Sequence, residues 1–488
     1  MTRILIRAGK EPWVPVTPET SLAANVIGTN SGNAVFSTGV FSALATPDAE
    51  LEADFFRVER GQTPQDIAAR ISDEYDHVVL PFANAFRGAF LPYLDRWTDV
   101  IGRLTIPVTV AGIGGQFSSN DGEIDIPQNI GESASAFMRA ALAASPSVGV
   151  RGVRTQQMLD KLGFGPEHVE VIGCPSMYRA DRPVVVKKNT DALDADSRLA
   201  LSVTPRMARR GESTSTMATL VARAQQEFTD VTYVAQDGQD LAMLMWGDDP
   251  GEPKHPGMPI DPSHSLVSED RMRFFVDPER WFDHLSPYDF LLGSRIHGAI
   301  ASLIAGTPAY VLAFDSRTRE LSEYHAIPHR ILRDTDPHVP FADLYEEFDE
   351  AKFADTQARN QANYVRFLES HTLRHTLDDP ALAAGYRERL AAASLPPGVG
   401  AEFVLSTSIA VQERLRWMRQ SVGNAPARQE LEPLLPSWAK NGGKAKRGES
   451  VGPVNPKGSS ALPLWKGVAA LPRRVYRGLR RRARALFR

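Results

Sequence analysis

The chain has 488 residues, 42% hydrophobic and 23% charged, with a formal net charge of −4 and a mean hydropathy of −0.26. That length exceeds one ordinary domain and supplies apolar side chains for two cores. A single cysteine, Cys174, excludes an intramolecular disulfide and a cysteine-based metal cluster, and no run reaches the roughly 18 apolar residues of a spanning helix.

The first residues, MTRILIRAGKEPW, include a basic side chain but no sustained apolar stretch, so no secretory signal is read and a cytoplasmic location is expected. The net charge hides an asymmetry. From Lys440 to Arg488 there are five Lys, nine Arg and one acid, Glu449, a balance of +13 that leaves −17 on the rest. An acidic body with a basic tail points the tail toward an anionic partner.

Short β-rich apolar runs alternate with helical periodicity, the signature of parallel α/β units. In the first half the expected strands are 25–28, 77–80, 107–111, 147–150 and 169–172, with helices over 133–144 and 155–162. Residues 180–197 are polar and contain proline, as a linker would. The pattern then restarts with strands at 199–203, 231–235 and 273–276 and helices at 213–228 and 278–285. A strand at 288–292, a helix at 296–305 and a strand at 309–314 complete the second unit. Beyond about Asp343 only helices are expected, first over 351–370 and then up to about Gln420. From 425 to 460 Pro, Gly, Ser and Lys dominate, the composition of a flexible linker. No solenoid repeat is present. Two doubly wound units joined by a linker place a ligand in the cleft between them.

The segment richest in chemistry runs from Tyr288 to His325. It reads as a buried strand, a Gly-Ser turn, a helix, a Gly-Thr-Pro turn, a buried strand and a charged loop. Ser294, Arg295 and His297 therefore fall at a strand's carboxyl end and a helix start, where open α/β sheets bind ligands and a helix favours anions. Arg295 can offer a bidentate fork to phosphate or carboxylate, and His297 can move a proton near neutral pH. An arginine paired with an acid and a histidine capping a helix would fit the same letters.

This segment resembles the C-terminal signature of the polysaccharide pyruvyl transferase family. That signature is a strand ending in Ser-Arg-x-His-Gly, a helix, Gly-x-Pro, a strand and Asp-x-Lys-x-Arg. Here the last part is Asp315-Ser-Arg-Thr-Arg319, with Arg317 where the family usually has Lys. The swap keeps the charge and changes the geometry. Further segments match in order. Thr29-Asn-Ser-Gly-Asn33 is similar to the family's N-terminal Asn-x-Gly-Asp/Asn turn, although an ordinary turn has the same composition. Ala111-Gly-Ile-Gly-Gly-Gln116 lies where the family has its Gly-rich loop. Val148-Gly-Val-Arg-Gly152 puts Arg151 where a cleft arginine is expected. Val171-Ile-Gly-Cys-Pro-Ser176 and Val203-Thr-Pro-Arg206 continue the series. With no His or Asp within a few residues, Cys174 reads as a buried, inert thiol. The resemblance spans about residues 25–345.

The resemblance implies an α/β, GT-B-like fold with two Rossmann-like domains facing a cleft. Residues 1–180 would form the acceptor side and 196–345 the donor side, followed by a helical extension over 346–424 and a linker with basic tail over 425–488. It also implies transfer of the enolpyruvyl carbons of phosphoenolpyruvate to two hydroxyls of one sugar, giving a cyclic ketal and phosphate. The expected donor-binding residues are Arg151, Ser294, Arg295, Arg317 and Arg319. His297 is expected as general acid with Arg295 beside it, and Asn30, Gly32, Asn33, Gly114 and Gly115 as acceptor or cleft loops. No metal-ligand spacing is visible, so a metal-free site without a cofactor is expected, with phosphoenolpyruvate as co-substrate.

The tail 471–488 can form a basic amphipathic helix suited to an anionic membrane surface and so to a lipid-linked acceptor at the inner face. Charge alone would also suit nucleic acid, but no binding motif accompanies it, and none is expected as a partner. Two rival functions remain at this point: a nucleotide-sugar glycosyltransferase of the same architecture, and a non-catalytic relative that binds ligand.

Overall fold

The computed structural model describes residues 1–60, 62–116, 124–204, 212–247, 255, 257–406, 408–422 and 431–440. The expectations for Arg206, for 425–430, for the linker from 441 onward and for the tail 471–488 fall outside these residues.

The first unit contains β1 (Thr2–Ile6), α1 (Pro18–Ala24), α2 (Gly32–Leu44), β2 (Ala49–Ala53), α3 (Pro64–Glu74) and β3 (His77–Pro81). It continues with α4 (Leu91–Ile101), β4 (Val108–Ile113), α5 (Gln128–Ala143), β5 (Val148–Val150), α6 (Val153–Lys161) and β6 (Val169–Val171). Its six strands are all parallel, in the order β2-β1-β3-β4-β5-β6. Strands such as His77–Pro81 and Val108–Ile113 are buried at every position, which is why they read as continuous apolar runs.

The second unit begins with β7 (Arg198–Ser202), α7 (Glu212–Glu227), β8 (Asp230–Ala235), α8 (Gly238–Trp246), α9 (Ser265–Ser268) and β9 (Met272–Phe274). There follow α10 (Pro278–Leu285), β10 (Phe290–Gly293), α11 (Ile296–Ala305), β11 (Ala309–Ala313), α12 (Ser316–Tyr324), β12 (His329–Ile331) and α13 (Phe341–Glu346). Its order is β12-β11-β10-β7-β8-β9, again all parallel. Counted within the unit this is the 3-2-1-4-5-6 order of a doubly wound dinucleotide-type sheet, and its direction reverses between β7 and β10. The fold is thus α/β with two Rossmann-like sheets, as expected.

One expected strand is wrong. Residues 25–28 form a tight turn, in which Asn25 caps α1 at φ 52° and Gly28 and Thr29 follow at φ 59° and 71°. Left-handed backbone suits Asn and Gly and is incompatible with a strand. The apolar signal there has another cause. Val26 and Ile27 are buried in two different cores, one shared by both units and the other built mainly from the second. The strand missing from the expectation is β1, which lies between β2 and β3.

α2 carries no charge, and eleven of its thirteen residues are buried. A helix apolar on all sides belongs inside a protein. Phe36 and Val40 of α2 share one core with Ile296, Ala299 and Ile300 of α11, which joins the units across the site. After α13, α14 (Glu350–Ser370), α15 (Ala384–Ala392), α16 (Glu402–Leu405) and α17 (Ser408–Val422) follow without strands. α14 packs back on the first unit, where Gln357 Nε2 donates to the Met177 carbonyl and Asn363 Nδ2 to that of Val171. Residues 431–440, within the stretch whose composition suggested a linker, are packed on the body, with Leu431, Leu435 and Trp438 buried. No helix among the described residues is long and apolar enough to cross a membrane.

Candidate active site

The candidate site lies at the carboxyl ends of β7 and β10, the reversal point of the second sheet. The backbone N–H groups of Ser294 and Arg295 both donate to the Ser202 carbonyl at 3.1 Å, turning the chain sharply out of β10. The Ser294 hydroxyl is fully buried and accepts from Thr204 N–H at 2.8 Å. It pins the chain leaving β7. Arg295 occupies the N-cap of α11 and no side chain caps that helix, so its dipole and first-turn N–H groups are available to an anion.

Three arginines converge on His297. Burial, then the charges of Arg151, Arg317 and Arg295, push its imidazole down to about 3, so the ring is neutral at pH 7. Its Nε2 is buried with no hydrogen-bond partner among the described residues. Phe36 meets the ring edge-on, with centroids 6.0 Å apart. The surrounding cations also keep donors in reserve: Arg151 Nε and Nη2, Arg295 Nε and Arg317 Nε are all buried without a partner among the described residues. Burial and then the charge of Arg317 lower the fully buried Arg151 to about 10. Like charges at close range with unfilled N–H groups make a binding place for a multiply charged anion.

Acids balance these cations only in part. Arg295 pairs with Asp237, which follows β8. Arg317 Nη2 lies 3.1 Å from Asp315 Oδ2, while Asp315 Oδ1 accepts from Thr318 N–H and so caps α12. Arg319 pairs with Glu323 one turn along α12 at 2.7 Å, on a surface of that helix.

The first unit supplies the opposite wall. Asn30 Nδ2 donates to Asp237 Oδ1 at 3.0 Å, and Asn30 Oδ1 accepts from Gly32 N–H at 2.8 Å. Backbone bonds from Ser31 N–H to the Gln236 carbonyl and from Gly238 N–H to the Thr29 carbonyl, both 3.0 Å, tie the same two loops together. Gly32 then presses on the histidine: a Cβ there would lie 2.7 Å from His297 Nδ1. Asn33 is turned the other way, its Nδ2 donating to the carbonyls of Ile27 and Gly28 at 3.1 Å to brace the turn.

Gly114 follows a register shift at the end of β4, and a Cβ at Gly114 would overlap the Arg151 side chain. Gly115 N–H donates to the Thr155 hydroxyl at 3.2 Å. The structure therefore gathers Arg151, Arg295, His297, Arg317, Asn30, Gly32 and Gly114 around one place. Ser294, Asn33 and Gly115 hold the loops that frame it.

Sequence reasoning missed five residues. Asp237 and Gln236 follow a strand that was located correctly, and their Gln-Asp-Gly letters look like any turn. Glu320 and Thr155 meet across 165 positions, and no local pattern announces such a pair. Arg87, on the loop after β3, is lowered by burial and by the charge of Arg317, which places it at the edge of the cluster. Cys174 is buried as expected, its thiol pushed up by burial, and its N–H donates to His325 Nε2 at 2.9 Å.

Residues 124–316 match the polysaccharide pyruvyl transferase family, a span that contains Arg151, Arg295 and His297. No curated protein matches the chain. Among solved structures the chain is similar to the UDP-N-acetylglucosamine 2-epimerase of Rickettsia bellii, at 11% identity over 76% of this chain and 96% of that one, TM-score 0.38. It is also similar to the UDP-GlcNAc 2-epimerase of Methanocaldococcus jannaschii, at 11% over 76% and 99%, TM-score 0.36. The Anabaena protein HepE, solved with UDP and glucose, gives 12% over 80% and 100%, TM-score 0.36.

Proposed function

We propose that this chain is a transferase that moves the enolpyruvyl group of phosphoenolpyruvate onto two hydroxyls of one sugar, forming a pyruvate ketal of a cell-surface glycan. The observation that carries the reading is the convergence of Arg151, Arg295 and Arg317, with buried unpartnered N–H groups, on a histidine at a sheet reversal point. The family match over 124–316 supports it.

The donor carries a carboxylate and a phosphate, and its charge would sit among the three arginines and the start of α11. In the reaction carbon 3 gains a proton and carbon 2 becomes oxocarbenium-like. One acceptor hydroxyl bonds to carbon 2, the carbon–oxygen bond to phosphate breaks, and the second hydroxyl closes the ring. Of the two hydroxyl protons lost, one replaces that delivered to carbon 3 and the other leaves with phosphate. In this reading His297 delivers the first proton. Burial and, after it, three arginines keep its ring neutral at pH 7, and the donor's negative charge would offset the arginines and favour the protonated ring. The arginines then stabilise the departing phosphate. The reaction asks for no metal or cofactor at any step.

The acceptor is a sugar, free or lipid-linked, and the basic tail 471–488 would bring the protein to an anionic membrane surface on the cytoplasmic side. Thermal stabilisation tests the donor. Phosphoenolpyruvate should raise the melting temperature and nucleotide sugars should not. The reverse result would select the glycosyltransferase reading, and silence from both would select a non-catalytic one.

A further inference from the structure

Glu320 takes no part in the chemistry above, yet it is a buried acid that crosses between the units. It lies on α12, one turn past Arg317, with 2% of its surface exposed. Its Oε2 accepts from the Thr155 N–H at 3.1 Å and its Oε1 from the Thr155 hydroxyl at 2.9 Å. Thr155 is the third residue of α6, whose N-cap is Gly152 and which has no side-chain cap of its own. An acid from the second unit thus satisfies the start of a first-unit helix, at the end where the helix dipole favours negative charge.

The contact continues inward. The Thr155 hydroxyl, donating to Glu320, accepts from Gly115 N–H at 3.2 Å. Gly115 adjoins Gly114, against which the Arg151 side chain packs. One carboxylate therefore fixes the helix after Arg151 and the turn beneath it, and two of that guanidinium's nitrogens have no hydrogen-bond partner among the described residues. Burial pushes the carboxyl up to about 7, even though Arg151, the two bonds from Thr155 and Arg154 all favour its charged form. Removing one partner of such a bond strands the other's buried polar groups.

We propose that Glu320 is a positioning residue for the anion site, acting through the Thr155 hydroxyl on the Gly114–Gly115 turn and so on Arg151. The proposal rests on the reading that Arg151 binds the donor. Because Thr155 relays the effect, Glu320→Ala and Thr155→Val should act as one lesion.

The test follows two readouts on the full-length protein and on Glu320→Ala, Glu320→Gln, Thr155→Val and the double variant Glu320→Ala/Thr155→Val. Hydrogen exchange is measured over 111–116 and 152–156, and phosphoenolpyruvate affinity by calorimetry. Exchange in both segments should quicken in Glu320→Ala and Thr155→Val and stay unchanged in the second sheet. Phosphoenolpyruvate should bind about tenfold more weakly to each, and the double variant should be no weaker than Glu320→Ala. Glu320→Gln keeps the shape and an acceptor, and should recover most of the affinity. Thr155→Val replaces the hydroxyl by a methyl of similar size, so it decides the matter even if Glu320→Ala does not fold. Unchanged exchange over 111–116, or additive losses in the double variant, would overturn the proposal. Wild-type protein that ignores phosphoenolpyruvate while the exchange pattern appears as described would instead overturn the donor reading.

Discussion

Gly32 and His297 come from opposite units and meet so closely that a Cβ on Gly32 would lie 2.7 Å from His297 Nδ1 and 2.8 Å from Asn30 Oδ1. The start of α2 is therefore one wall of the imidazole's pocket, and the ring cannot keep its place if that wall thickens. Gly32→Ala should destabilise the protein by about 1–3 kcal/mol, the usual cost of overpacking. It should also lower kcat more than it raises the donor KM, because it displaces the proton-transfer group and leaves the arginines alone. Thermal melts and steady-state kinetics check both.

His297 itself is the second test. His297→Ala should keep the fold and lower turnover by about 10²- to 10⁴-fold, the range for a general acid. Circular dichroism and kcat under saturating donor are the measurements. Wild-type turnover in that variant would remove the histidine from the mechanism.

Donor binding should be accompanied by proton uptake. The ring is held down to about 3 by burial and three arginines, and an anion among them raises it. Calorimetry near pH 6.5 in buffers of different ionisation enthalpy should show protons taken up with phosphoenolpyruvate, and much less uptake in His297→Ala.

Acid should destabilise the free protein through the same residue. An unfolded histidine binds its proton near 6.5 while His297 resists to about 3. The unfolded state thus holds more protons across that window, and stability falls as pH drops through it. His325, also pushed down to about 3 by burial, adds in the same direction. The melting temperature of His297→Gln should lose less than that of wild type between pH 7 and pH 4.

Much of this architecture was legible: parallel strands buried on both faces, such as β3 and β4, leave unbroken apolar runs, and the helical periodicity over 278–285 and 296–305 coincides with α10 and α11 residue for residue. The failure at 25–28 has a physical reason. Val26 and Ile27 look like a strand because they are buried, yet Asn25, Gly28 and Thr29 bend the chain into a turn. In the candidate site, Arg295, His297 and Arg151 could be picked out because each follows a strand. Asp237 and Glu320 could not, because they act across the fold on residues far away in sequence. The same limit hid the bracing work of Ser294, which holds the chain leaving β7, and of Asn33, which holds its own turn.

Arg295→Ala should weaken phosphoenolpyruvate by about 10- to 100-fold, the scale of a lost charged hydrogen bond, and should leave Asp237 without its cation. Arg295→Lys should recover little of that loss, since lysine lacks the planar fork. Titration calorimetry on the two variants provides the comparison.

The most direct measurement incubates the full-length protein with phosphoenolpyruvate and a panel of glycan acceptors, free and lipid-linked, following phosphate release and acceptor mass together. The account predicts phosphate released one-for-one with an acceptor that gains one pyruvate less one water, and no such product from Arg295→Ala. Transfer of a sugar from a nucleotide donor, with no change when phosphoenolpyruvate is supplied, would contradict it.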